Sequence, residues 1–241
     1  MRIRPRRRLL TGSRRVLPVA VLLPVLALTA ACGGGKSKDD GSAASGKLTG
    51  SVITAKDVDH LKVVPATSDS QLLGAEQTTD PAACQPVADQ WSLKPKLART
   101  AYTGALVTDT ASADAGAKTI SLEVVASYPA GRAEQVLDQL SAAVAHCSGY
   151  KVTRSGRTST FAVKSVSPSA AVGGTFGDQQ VTYTVSDPAL GSSGVALVTV
   201  IRVGDSTAAF ETVRADHGTA SLRSVIAGKQ ADKLRAAAGG K

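Results

Sequence analysis

Three cysteines and three histidines are the residues of this 241-residue chain best suited to chemistry: Cys32, Cys84, Cys147, His60, His146 and His217. Their spacing argues against catalysis. Neither Cys84 nor Cys147 has a second cysteine or a histidine at ligand spacing, apart from the adjacent His146, which points off a different side of a helix. The histidines form no His-x-x-x-His pattern, and His60 and His217 sit beside Asp59 and Asp216 as solvated surface pairs do. There is no Gly-x-Ser-x-Gly elbow, no Gly-x-Gly-x-x-Gly turn and no Walker loop. Gly191-Ser192-Ser193-Gly194 opens into a strand pattern, so it offers no helix N-terminal amides to a phosphate. No pair of carboxylates suggests a hydrolase dyad. The expectation is a protein that is not an enzyme, with no catalytic residues, no metal and no cofactor.

Cys32 carries the other chemistry open to a thiol, acylation. It follows Leu28-Thr29-Ala30-Ala31 and precedes three glycines, the pattern of a bacterial lipobox, with Thr29 where leucine is usual. Seven arginines and no acid precede an uncharged apolar run, 16–31, interrupted by Pro18 and Pro24. A permanent span needs roughly 20 apolar residues, so this run suits a signal peptide better than an uncleaved anchor helix. The expected partition is a lipoprotein signal peptide at 1–31, lipidation of Cys32 with diacylglycerol and palmitate-type acyl chains, and a cell-membrane location on the extracytoplasmic face. Arg6-Arg7-Arg8-Leu9-Leu10 also resembles a twin-arginine export signal, leaving both export routes open. The whole chain has a net charge of +9, and taking away the leader's seven arginines leaves +2. With aromatics at 3 %, neither charge nor stacking surface points to nucleic acid.

Removing Cys32 leaves an even pair. In an exported chain Cys84 and Cys147 read as a disulfide, with two buried free thiols as the alternative. Residues 33–47 are Gly, Ser, Ala and charge with no large apolar side chain, so 32–47, from the acylated cysteine onward, is expected to be a flexible tether with a span on the order of 20 Å. Residues 48–238 are then one domain. Thr54 to Val58 could start a short helix. Asp80 and Pro81 suit the cap and first position of another, with Cys84, Val87, Ala88 and Trp91 on one face. Strands are expected at 98–107 and 118–128 around a hairpin loop at 109–116. The helix after Pro129 has the clearest periodicity: Ala133, Val136, Leu137, Leu140, Ala143, Val144 and Cys147 recur at three- and four-residue steps, with Gly149 as the stop. Strands follow at 150–154, 158–166, 180–186, 194–203 and 208–213, the last pair joined at Gly204-Asp205, with a Gly- and Ser-rich mobile loop at 167–178. A helix at 219–236, presenting Leu222, Val225, Ile226 and Leu234, closes the chain. The fold class is α+β: a mainly antiparallel sheet with helices packed on one face.

This order, from Pro81-Ala82-Ala83-Cys84 through strands ending at Tyr128-Pro129 to a helix ending in Cys147, then strands and an amphipathic helix, resembles the PknH-like extracellular sensor domain of actinobacterial receptor kinases and related lipoproteins. The resemblance spans about 51–234. It implies a helix-flanked antiparallel sheet with a groove that receives a ligand. That family commonly carries a second disulfide in its C-terminal half, whereas this chain has no cysteine after Cys147.

A pocket typically mixes aromatics with a few polar groups. Trp91, Tyr102, Tyr128 and Tyr183 are therefore candidate groove-lining residues, with Arg99 and Arg132 to orient an anionic ligand. Trp91 reads equally as a core anchor, and each arginine as a solvated surface residue. The functional expectation is a lipid-anchored, non-catalytic binding or sensor-like domain for an unknown small ligand. The alternative is a structural lipoprotein that docks another cell-envelope protein.

Overall fold

The computed structural model describes residues 48–154 and 157–239. The leader 1–31, the tether 32–47 and the expected acylation at Cys32 lie outside the described residues.

The nine strands are β1 (Leu61–Pro65), β2 (Thr79–Asp80), β3 (Ala101–Asp109), β4 (Thr119–Ser127), β5 (Gly149–Arg154), β6 (Arg157–Ser165), β7 (Gln179–Ser186), β8 (Val195–Val203) and β9 (Ser206–Arg214). They form one sheet in the order β1-β3-β4-β9-β8-β7-β6-β5-β2, antiparallel at every step. Four α-helices accompany it: α1 (Gln85–Asp89), α2 (Arg132–His146), α3 (Pro168–Ala171) and α4 (Ser224–Gly239). The class is α+β, as expected from the sequence.

The helices do not share one face. In β8, Leu197, Ile201 and Val203 pack with α4, while Val198 and Val200 pack with α2 on the opposite side. Successive strand residues point to opposite faces, so an uninterrupted apolar strand must be covered twice. Val195–Val203 (VALVTVIRV) comes close to this, apolar but for Thr199 and Arg202, and its centre is buried on both sides.

On the α2 face the expected stripe is realised: Ala133, Val136, Leu137, Leu140, Ala143 and Val144 are buried. Each of the larger four contributes about 1.5–3 kcal/mol by leaving water. The helix stops at Cys147, which turns extended and donates its N–H to Ala143 O at 2.7 Å. Gly149 instead opens β5, where a side chain would strike the Phe161 carbonyl oxygen. Cys147 is bridged to Cys84, with Cα atoms 5.5 Å apart. Cys84 sits in a single 3-10 turn (Ala82–Cys84), and α1 starts only after it, because Thr79 and Asp80 are taken up as a strand beside β5.

The opposite face is closed by α4 and by the segment that enters the domain from the tether. Leu48, Val52, Ile53 and Val58 join the core with Ile226, Ala227, Ala231 and Leu234. Residues 54–57 form a turn rather than a helix: Thr54 N and Oγ1 both donate to Asp57 Oδ2 at 2.7 Å. Asp57 accepts from Lys233 Nζ at 2.9 Å, and Gln230 Nε2 donates to Ser51 O at 2.8 Å, so this strap is fastened to α4. Helix α4 starts five residues later than periodicity suggests. Arg223 is held in an ion pair with Asp109 and donates to Asp59 O, so the chain before Ser224 is spent on bonds to the sheet and strap. Val225 consequently faces outward.

Candidate functional site

Beyond the start of α4 the sheet face stays open. Lys164 of β6, Thr184 of β7 and Leu197 of β8 stand opposite one another in register and form one row on that face. α3 rises on one side of this row and the chain 217–221 on the other, and Leu222 N donates to Ala171 O at 3.1 Å where the two walls meet. Between them lies a groove of about 730 Å³. Its floor is apolar, formed by Val166, Val195 and Leu197, with Ala170 and Ala171 on the α3 wall. Its rim carries Ser167, Thr219 and Ser221, together with Lys164 and His217. Among the described residues no carboxylate lines it. A volume of this size, apolar below and polar at the rim, suits a small organic molecule.

The turn that presents His217 is unusual. His217 has φ +60°, a left-handed conformation that costs a non-glycine residue about 1 kcal/mol. Asp216 secures it: its carboxylate accepts from Arg214 Nε at 2.9 Å, Arg214 Nη2 at 2.6 Å and Gly218 N at 2.9 Å, and its own N–H donates to Gly116 O. The Arg214 hydrogen bonds hold the Asp216 carboxyl down at about 2. Strain maintained by surrounding bonds is a mark of functional loops. With its carboxylate engaged by Arg214, Asp216 orients no imidazole. Among the described residues no hydrogen bond joins the His217 side chain to a groove hydroxyl, and no three His, Cys, Asp or Glu side chains gather to hold a metal.

The residues singled out from the sequence lie elsewhere. Arg99 Nη1 donates to Ser92 O at 2.7 Å, and Nη2 donates to Asp89 O and Gln90 O at 3.0 and 2.8 Å, so the guanidinium caps the end of α1. Arg99 and Tyr128 border a cavity of about 20 Å³, room for a water molecule and no more. Trp91 and Tyr102 pack together over Leu72, Leu73 and Val124. Burial first, then the Asp69 carboxylate, raises the Tyr102 hydroxyl to about 12. Tyr183 is wholly enclosed beneath α2, and burial, with Tyr150 and Glu211 nearby, drives its hydroxyl well above the usual value. Arg132 lies exposed at the first turn of α2 and donates to Gln135 Oε1 at 2.8 Å. Arg99 and Tyr128 thus meet at one small cavity, Trp91 and Tyr102 at a second cluster, and none of the six lines the large groove. The groove residues were signalled only obliquely, by the Gly- and Ser-rich stretch 167–178 and by the Asp216-His217-Gly218 turn.

A helix-flanked antiparallel sheet in this strand order defines a class of fold seen before. The extracellular domain of PknH from Mycobacterium tuberculosis shares it, with a TM-score of 0.53 at 11 % identity over 81 % of this chain and 96 % of that one. A putative uncharacterized protein from Mycobacterium smegmatis superposes over 84 % of this chain and 97 % of its own at 14 % identity, with a TM-score of 0.31, too slight to bear on the fold. No protein-family model and no curated protein matches the chain.

Proposed function

We propose that this protein is an extracytoplasmic, lipid-anchored and non-catalytic binding domain of sensor type, whose small-molecule ligand occupies the groove over β6, β7 and β8. The observation that carries this reading is the groove itself: about 730 Å³, apolar at its floor and hydroxyl-rich at its rim, with one wall in a strained turn. The lipobox at Cys32 and the tether after it support the location. The likeness in fold to the extracellular domain of PknH agrees with it.

The test is native mass spectrometry of protein taken from its own envelope, beside an Ala170→Trp variant that fills the groove from its exposed wall. A non-covalent adduct on the wild type that is lost from the variant is the expected result. A wild-type protein free of any adduct, and unresponsive to small-molecule screens, would overturn the reading. A stoichiometric envelope protein bound equally by both forms would point instead to docking, with the exposed apolar strip of Val64, Leu106 and Ile120 as the surface available for it.

A further inference from the structure

We infer that the groove selects an amphiphile with a single anionic headgroup, a carboxylate or phosphate monoester, joined to an apolar chain. This rests on the groove being the binding site. Three observations carry it. The ionisable side chains of the lining are Lys164 and His217, and no Asp or Glu joins them. The acid nearest in sequence to the rim, Asp216, is neutralised by a two-point ion pair with Arg214. An anion entering the groove therefore meets a lysine ammonium with no carboxylate of the lining to compete for it, and rim hydroxyls able to donate to its oxygens. Beneath them the floor of Val166, Val195 and Leu197 leads into the core of the α4 face, and Val195 is exposed there. A headgroup at the rim and an apolar chain along the floor satisfy both layers at once. A strongly hydrated solute without an apolar chain would leave the floor unfilled, and a cationic amphiphile would meet Lys164 as a like charge.

The same headgroup chemistry occurs in free alkyl carboxylates or phosphates and in single lipid molecules drawn from a bilayer. Nuclear magnetic resonance titration of the chain from residue 32 onward, made soluble by Cys32→Ser, separates these cases. The probes are decyl phosphate, decanoate, decanol and decyltrimethylammonium, each below its micelle concentration. Expected are shifts of groove amides, with the two anions bound at least tenfold more tightly than decanol and the ammonium weakest. Lys164→Glu is expected to weaken decyl phosphate at least tenfold while leaving decanol within about twofold. Equal binding of decanol and decyl phosphate, or no effect of Lys164→Glu, would overturn the headgroup inference and leave the groove standing as a site. Silence of the groove amides toward all four probes would overturn the binding reading itself. In a parallel arm, transfer of labelled phosphatidic acid from vesicles to the wild type but not to Lys164→Glu assigns a lipid source. Decyl phosphate binding without such transfer assigns a free solute.

Discussion

Glu123 lies in the centre of β4, fully buried between the sheet and the strap, and among the described residues its carboxylate accepts a single hydrogen bond, from Ile53 N at 3.4 Å. Its second oxygen has no partner. Burial raises its carboxyl from 4.5 to about 8, against weaker lowering by the Ile53 bond and the Lys233 charge. A carboxyl raised on folding binds its proton more tightly in the native state. Its protonated form is therefore fully stabilising below about pH 4.5, and that stability is lost as pH rises to about 8, beyond which the loss is complete. A rise of about 3.5 units at 1.36 kcal/mol each sets a ceiling of roughly 5 kcal/mol, and relaxation of the strap will reduce it. Glu123→Gln keeps the shape and removes the proton. Urea denaturation of both forms at pH 5 and pH 8.5 isolates the effect, because the contributions of other groups cancel in the difference. The wild type is expected to lose about 3–4 kcal/mol more than the variant over that interval, or roughly 10 °C in Tm for a domain of this size. The two forms should agree within about 1 kcal/mol at pH 5. Parallel pH profiles would refute the reasoning, since they would mean that Glu123 ionises on folding at no cost.

Three further outcomes are expected. Replacing Cys84 and Cys147 together by alanine should lower stability by about 4 kcal/mol, from the closure entropy of a loop of sequence separation 63, read by urea unfolding in non-reducing buffer; a change under 1 kcal/mol would show that the bridge constrains little. Arg99→Met should cost about 2 kcal/mol, because three carbonyls at the end of α1 lose their donor, yet should leave binding of groove probes unchanged by titration. Gly104→Val should destabilise by more than about 2 kcal/mol in thermal unfolding, since a Cβ there would run into the Glu123 carbonyl and approach Leu72 Cδ2 at 2.8 Å.

What the sequence discloses depends on whether the signal is local. Helix α2 could be read because its apolar stripe recurs at three- and four-residue steps within one element. The strands around Gly204-Asp205 could be read because a two-residue turn and alternation lie side by side. Two strands were not legible: β1 is five residues ending in Pro65, and β2 is two residues, so neither is long enough to show a period. The placement of helices on both faces was legible in principle in β8, apolar at seven of its nine positions on both faces, which antiparallel expectations of one wet face obscured. The groove was not legible because its lining comes from three distant stretches, around 164–171, 184–197 and 217–221. Adjacency suggested that Asp216 partners His217, whereas the turn gives that carboxylate to Arg214 and leaves the imidazole at the rim. Aromatic residues drew attention because pockets favour them, but they are also the side chains that bury the most area, and Tyr128 and Tyr183 are used for that.

The most direct test of the binding groove is amide chemical-shift mapping of the chain with a library of small apolar and anionic fragments. The expected result is saturable shifts concentrated at 164–171, Thr184, 195–197 and 217–221, abolished by Ala170→Trp. Shifts centred on Arg99 and Tyr128 instead, or shifts that survive Ala170→Trp unchanged, would contradict it.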